Sequence, residues 1–296
     1  MASPTQSPAT ATELSRIGLV VHPTRNVDEA IGAARDWAAG HGAELVQISV
    51  PGRRRDVTRE GRPEDCDLIV SVGGDGTMLA AARAALDARR PVLGVACGSL
   101  GALTSVAADG VRRALDRFAA GEWRPRPLAG LEVSSDRGDE LVALNDIAVV
   151  RGGQGQIRTT AKVDADLYGR FAGDGCIVST PAGSSAYALA AGGPLLALSA
   201  EAFLLTPLTV HGGFCPPLVI GAGSRLELEI DVGHGGARFE VDGQVTDLKV
   251  GSLRVSLRAE VATLVGFDDQ ESLLAGLRRR RIIIDSPRIV ADRHRA

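Results

Sequence analysis

Aromatic side chains are scarce in this 296-residue chain: two tryptophans, two tyrosines and six phenylalanines, 3% of all residues. So few rings exclude a surface that holds single-stranded nucleic acid by stacking successive bases. Cysteine is scarce too. Cys66, Cys97, Cys176 and Cys215 stand far apart with no Cys-x-x-Cys pair, which argues against zinc and leaves reduced core thiols. The five histidines do not pair at metal-ligand spacing. Neither sign of charge dominates, the net charge being −3. The one basic run, Arg278-Arg279-Arg280-Arg281, precedes three isoleucines and reads as a solvated helix end, not a nucleic-acid patch. Unbroken apolar runs are missing as well. Ala186–Leu208 is interrupted by Gly192-Gly193-Pro194 and Glu201, which argues against a membrane helix. Residues 1–12 carry Ser, Thr, Pro and Ala with no charged start before an apolar stretch. They read as a disordered tail, not a signal peptide. The expectation is a cytoplasmic protein with neither nucleic acid nor membrane as a partner.

What the chain has is apolar residues, 45% of the total, and 36 glycines. The densest use of both is Leu68-Ile69-Val70-Ser71-Val72-Gly73-Gly74-Asp75-Gly76-Thr77. An apolar run closed by glycines predicts a buried parallel strand feeding a loop, and a helical pattern follows at once. Glycines let the backbone approach a ligand closely and expose amide N–H groups, and the helix start suits a phosphate. Asp75 could take a proton from a hydroxyl or position a metal. The turn therefore points to phosphoryl transfer. It is not a P-loop, since no lysine follows Gly76, nor a dinucleotide fingerprint, since Leu79 stands where the third glycine is needed.

Before residue 123 strands alternate with helices: strands at Arg16–Pro23, Glu44–Val50, Leu68–Val72 and Pro91–Val95, helices at Val27–Ala39 and Thr77–Ala88. That order predicts a parallel sheet with helices on its faces. After Trp123-Arg124-Pro125-Arg126-Pro127 the chain turns strand-rich. Strands are predicted at Leu131–Ser135, Leu141–Val150, Thr160–Leu167, Gly175–Ser179, Arg225–Ile230, Ala237–Val241 and Leu253–Leu257, several with the alternation of half-buried antiparallel strands. A closing helix at Leu273–Leu277 and a last strand at Arg281–Ile284 complete the reading. A second dense block runs from Gly173 to Tyr187. There the strand Cys176–Ser179 enters a turn of hydroxyls, proline and glycine before a short helix over Ala186–Ala191. Such a turn can bind a ribose, a phosphate or a base edge, or can simply cap the helix through Ser184 or Ser185.

Taken together these motifs resemble the NAD kinase family, in matching order over most of the chain. Gly73–Thr77 is similar to its first motif and Gly98–Thr104 to the segment after the next strand. Ala143-Leu144-Asn145-Asp146 resembles its Asn-Glu motif. The Asp174–Tyr187 block with Gly192-Gly193-Pro194 resembles its long central motif, Thr206-Pro207 with His211 a later loop, and Asp242-Gly243-Gln244 a C-terminal hairpin. The first motif is shared with lipid kinases and phosphofructokinases; the central block is the specific one.

The resemblance implies transfer of a phosphoryl group from ATP, or polyphosphate, to the 2′-hydroxyl of the adenosine ribose of NAD, with Mg²⁺ arriving on the nucleotide. The implied fold is an α/β N-terminal Rossmann-like domain plus a C-terminal β-rich, β-sandwich-like domain. The expected divisions are a tail at 1–14, the first domain at 15–124, the second at 125–265, and a segment at 266–296 returning to the first. A homodimer or homotetramer is implied. Asp75 would be the catalytic base or metal-orienting group, with Gly74, Gly76 and Thr77 lining the approach. Asn145 and Asp146 would bind the ribose or phosphate region, and Asp174 the nicotinamide end, from a neighbouring subunit. Ser185, Ala186 and Tyr187 would line the adenine pocket, with Ala190 nearby, and Thr180 is a further substrate- or nucleotide-binding candidate. Gln244 would sit near the substrate, and Arg158 is a further candidate. The chain departs from the family pattern where Asp146 replaces glutamate, Ala96 asparagine, Ala102 phenylalanine, Ala182 threonine and Pro216 arginine. These changes keep two alternatives open: a kinase of the same fold acting on another hydroxyl substrate, and a non-catalytic nucleotide sensor.

Overall fold

The structure is a computed structural model that describes residues 13–52, 55–98, 100–287 and 289. Residues 1–12, most of the expected tail, lie outside these, as does Ser99 of the Gly98–Thr104 segment. The chain forms two units, one from the residues up to Arg126 together with those from Ala262 onward, the other from Pro127–Val261.

In the first unit, β1 (Arg16–Val21), α1 (Asp28–His41), β2 (Glu44–Ile48), β3 (Glu60–Gly61), β4 (Leu68–Gly73), α2 (Asp75–Ala85), β5 (Val92–Ala96), β6 (Val106–Ala107) and α3 (Val111–Ala119) follow in order. The strands lie parallel in the order β3-β2-β1-β4-β5. Beyond β5, Leu264 pairs in parallel with Val92. Both β4 and β5 are buried along their whole length, as the unbroken apolar runs require of strands covered on both faces. From β1 the sheet winds outward in both directions, to β2 on one side and to β4 on the other. In open α/β sheets a ligand crevice forms at such a switch, outside the carboxyl ends of the strands. The Gly-Gly-Asp-Gly-Thr turn leaves the carboxyl end of β4. The helix α3 was not predicted, although its buried residues Val111, Ala114, Leu115 and Phe118 recur at helical spacing.

The next elements are β7 (Arg124–Ser135), β8 (Glu140–Ala143), β9 (Asp146–Arg151), β10 (Ile157–Val163), β11 (Asp166–Gly173), β12 (Gly175–Ser179), α4 (Tyr187–Ala190), β13 (Ala202–Leu208), β14 (Leu218–Gly221), β15 (Arg225–Asp231), β16 (Ala237–Val241), β17 (Gln244–Thr246) and β18 (Ser252–Gly266); they belong to the second unit except for Arg124–Arg126 of β7 and Ala262–Gly266 of β18, which belong to the first. One sheet runs β14-β13-β12-β9-β16-β17, every pair antiparallel. The other joins β11, β10, β15 and β18, also antiparallel, with the β7–β8 hairpin beside β18. Leu131, Val149, Phe171, Val178, Phe203 and Leu228, drawn from both sheets, share one apolar core. On the opposite face of the first sheet, Ile177 and Leu204 pack with Ala188 of α4, so β12 is buried on both sides.

Three predicted strands are corrected. Leu141–Val150 is two strands, β8 and β9, broken at Leu144-Asn145. Thr160–Leu167 is a hairpin, because Asp164 and Ala165 both take positive φ (51° and 74°), the two-residue turn that matches strand twist. Asp164 and Asp166 are turn-favouring residues, but without glycine or asparagine the signal was weak. The strand expected at Arg281–Ile284 is a helix stop. The helix α5 (Leu273–Arg279) starts at Ser272, whose side chain accepts the Ala275 N–H, and ends with Arg281 at φ 59°. The Arg281 N–H donates to Arg278 O and the Ile282 N–H to Leu277 O (both 2.9 Å), a Schellman pairing.

Candidate functional site

In the first unit, β4 ends at Gly73, and Gly74, extended and without a capping side chain, starts α2. Its carbonyl accepts the N–H groups of Thr77 and Met78 (2.9 Å each). Asp75 is thus the first residue of the helix. Its carboxylate is fixed from the facing loop: Oδ2 accepts the Ala102 N–H (2.8 Å) and Oδ1 the Leu103 N–H (3.0 Å). The Gly101 N–H donates to Thr104 Oγ1 (2.8 Å). Each carboxylate oxygen keeps acceptor capacity after one amide bond. Gly76 is exposed and Thr77 buried. Sequence reasoning missed Arg25, which follows β1. Its Nη1 donates to Cys97 O (3.3 Å) and lies 3.4 Å from where a Cβ on Gly74 would stand. A helix start, a cation over the glycine turn and an oriented carboxylate together suit a phosphorylated ligand.

A Cβ on Gly101 would fall on the Asp75 carboxylate, deep inside van der Waals contact. Gly101→Ala must therefore displace either the loop or the carboxylate. Misplacing a reacting group by an ångström costs on the order of 10²-fold. In the role the resemblance implies for Asp75, the expected result is a kcat loss of that size together with a thermal midpoint lowered by several degrees as the Ala102 and Leu103 N–H groups lose their partner, measured by steady-state kinetics at temperatures where the variant is folded and by calorimetry.

In the second unit, Asn145 and Asp146 sit where β8 breaks into β9. The Asp242 carboxylate accepts three successive N–H groups there, from Leu144 (2.9 Å), Asn145 (2.7 Å) and Asp146 (3.2 Å). Asp242 and Gly243, with φ of 50° and 72°, form the two-residue turn between β16 and β17, an Asp-Gly pair of the kind this turn favours. From the other side Thr180 Oγ1 donates to Leu144 O (2.8 Å) and accepts the Gly183 N–H (3.0 Å), while the Thr180 N–H donates to Asn145 O (2.8 Å). A Cβ on Gly183 would strike the Asn145 carbonyl, so only glycine allows this approach. The Asp146 side chain is almost wholly buried (4% exposed). Burial, then the Asp242 and Glu240 carboxylates, push its carboxyl up to about 7.

Ser185 Oγ donates to Ala182 O (3.0 Å). Ser184 Oγ donates to Pro181 O (2.7 Å) and accepts the Leu196 N–H (2.9 Å). Ala186 and Tyr187 are exposed at the start of α4, and Ala190 at its end. Asp174, between β11 and β12, pairs with Arg151 (2.6 Å). Arg151, Asp174, Tyr187 and Thr209 line a cavity of about 450 Å³. Gln244 is exposed at the first position of β17. Arg158 lies in the other sheet, paired with Asp231 (3.3 Å), and does not line that cavity. The structure thus gathers Gly74, Asp75, Gly76 and Thr77 in one unit. In the other it gathers Asn145, Asp146 and Thr180 around one turn and Asp174 with Tyr187 in one cavity. The Asp242 clamp was legible only as a hairpin signal. Among the described residues no group of three or more His, Cys, Asp or Glu converges as a metal site, and no helix is long and apolar enough to cross a membrane.

Comparison with known proteins bears on both units. Residues 15–123 match the ATP-NAD kinase N-terminal domain and residues 144–259 the ATP-NAD kinase C-terminal domain. The NAD kinase of Clostridium beijerinckii is 31% identical over 268 residues, 87% of this chain and 93% of that protein. The NAD kinase of Heliobacterium modesticaldum is 39% identical over 207 residues, 68% and 71% respectively. Among solved structures, an NAD kinase from Archaeoglobus fulgidus in complex with ATP superposes with a TM-score of 0.70 at 25% identity, covering 91% of this chain and all of that one. Yeast NADH kinase complexed with NADH gives 0.78 at 21% identity over 97% of this chain and 94% of that one, a likeness of fold. The architecture is that of these structures: a mixed α/β sheet in the first unit and antiparallel sheets in the second.

Proposed function

The chain belongs to the ATP-NAD kinase family, and from that membership we propose how its own residues divide the work. The activity is that of an NAD kinase, a phosphotransferase moving the terminal phosphoryl group of ATP to the 2′-hydroxyl of the adenosine ribose of NAD. In our reading Asp75 is the base. The ribose oxygen attacks the terminal phosphorus, the bond to the bridging oxygen breaks, ADP leaves, and the hydroxyl proton passes to the Asp75 carboxylate. The observation that carries this is the pair of amide bonds from Ala102 and Leu103, which hold the carboxylate at the start of α2. Gly74 and Gly76 admit the phosphates, Thr77 is buried beneath them, and Arg25 stands over the same turn.

Asn145 and Asp146 bind the acceptor ribose. Thr180, whose hydroxyl is engaged by Leu144 and Gly183, acts by holding that turn. Ser185, Ala186, Tyr187 and Ala190 flank the adenine, Gln244 lies nearby, and Asp174 receives the nicotinamide end. Arg158, ion-paired in the other sheet, is the weakest member of this set. The acceptor side takes NAD or NADH and the donor side ATP, the ligands named for the two solved relatives. Assembly as a homodimer or homotetramer belongs to the same reading. The free thiols favour a reducing compartment, the cytoplasm.

Magnesium fits the donor set. Mg²⁺ is usually held by one or two carboxylates together with substrate phosphates, and the Asp75 carboxylate retains oxygen lone pairs for it. When bound it neutralises charge on the phosphates. The test is to incubate the protein with ATP, Mg²⁺ and, separately, NAD, NADH and free nucleosides, reading the products by mass spectrometry. The expected result is one added phosphate on the dinucleotide and none once a chelator is in excess. Phosphorylation of nucleosides alone, or turnover in chelator, would overturn the assignment of acceptor or metal.

A further inference from the structure

The loop that orients Asp75 is itself held from the C-terminal end of the first unit. Arg279, at the end of α5, is locked by Glu271: Nε donates to Oε1 (3.0 Å) and Nη2 to Oε2 (2.9 Å). That two-pronged pairing fixes the guanidinium plane, and the same Nη2 donates to Leu100 O (3.0 Å). Gln270 Nε2 donates to Thr104 O (3.3 Å), and Ser105 Oγ to Val265 O (2.6 Å). The loop is therefore tied at Leu100 and again at Thr104 and Ser105. Between these ties lie Ala102 and Leu103, whose N–H groups hold the Asp75 carboxylate. The arginine run is more than a solvated helix end: Arg278 pairs with Asp285 (2.8 Å), while Arg279 turns to the loop.

We propose that the segment Gln270–Arg279 is a brace for the catalytic loop, with Arg279 and Gln270 as positioning residues that set Asp75 through Leu100–Ser105. The inference rests on Asp75 being the base. A brace of this kind contributes to the orientation of the reacting group, which governs turnover more than substrate affinity. Glu271 shares the role, since without it Arg279 regains its rotamers.

The test uses the full chain and a double-mutant cycle. Arg279→Ala should lower kcat about tenfold, with KM for ATP and NAD within about twofold and an unchanged thermal midpoint. Arg279→Lys, which keeps a donor for Leu100 O, should restore part of the loss, and Glu271→Ala should follow Arg279→Ala. In an Asp75→Asn background Arg279→Ala should cost nothing further, because the brace works only through that carboxylate. An equal loss in both backgrounds, a loss that tracks the thermal midpoint, or an unchanged kcat overturns the brace. If Asp75→Asn is fully active, the base assignment falls instead. If Asp75→Asn is inactive and Arg279→Ala is neutral, only the brace falls.

Discussion

Asp75→Asn is expected to lower kcat by about 10²–10⁴-fold, the usual span for loss of a general base, while KM for NAD stays near its wild-type value. The amide is almost isosteric but cannot accept the hydroxyl proton. It also carries one acceptor where the carboxylate has two, so either the Ala102 or the Leu103 N–H loses its partner. An unsatisfied, partly buried N–H costs about 1–3 kcal/mol, which predicts a thermal midpoint lowered by several degrees in the first unit. The two effects separate cleanly. A fall of 10²-fold or more at temperatures where the protein is fully folded assigns the chemistry to Asp75. Wild-type turnover in the folded variant would remove Asp75 from the reaction.

The parallel half of the fold was legible because its strands are buried on both faces. Leu68–Val72 and Pro91–Val95 are short, nearly unbroken apolar runs, and each closes on glycine or on a helix start. The second unit was less legible, for reasons specific to each place. The hairpin at Asp164-Ala165 places an alanine at positive φ, which composition does not advertise, and the neighbouring aspartates hinted at the turn only weakly. The break at Leu144-Asn145 had a local hint in Asn145 and Asp146, residue types depleted in strands, but its geometry is set by Asp242, 98 residues beyond Leu144, which no local pattern shows. The helix α3 had a clear apolar stripe that went unread among the charges of Val111–Phe118.

The candidate site divides the same way. Asp75 stood out because glycines around a carboxylate, between a buried strand and a helix start, suit a phosphate site as well as an ordinary turn. Arg25, Asp242 and Arg279 did not, because each acts through a contact distant in sequence and is an ordinary loop or helix residue locally. Altered family positions behave variously. Ala102 presents its N–H to Asp75, a role in which any side chain but proline would serve, so the loss of a ring there leaves the carboxylate's support intact.

Asp146→Asn is expected to stabilise the protein at pH 8 and to leave its stability at pH 4 nearly unchanged. The folded carboxyl is pushed up to about 7 by burial and by the Asp242 and Glu240 carboxylates, against an ordinary value of about 3.9 in the unfolded chain. Below pH 4 the group is protonated in both states. Between roughly pH 4 and 7 the folded protein holds the proton more tightly than the unfolded chain, so stability falls as pH rises through this window. Above pH 7 a buried carboxylate facing two others carries the full penalty, at most on the order of 4 kcal/mol at 1.36 kcal/mol per tenfold. Asparagine keeps the shape of the neutral acid and carries no charge. Urea unfolding of the second unit between pH 4 and 8 should give a downward slope for wild type and a flatter line for Asp146→Asn. Parallel lines would mean that Asp146 is ionised, and solvated, throughout. The same titration bears on function. If the neutral acid binds the ribose by donating its proton, NAD affinity should fall above pH 7 in wild type, and Asp146→Asn, still a donor through its amide, should bind NAD with little dependence on pH.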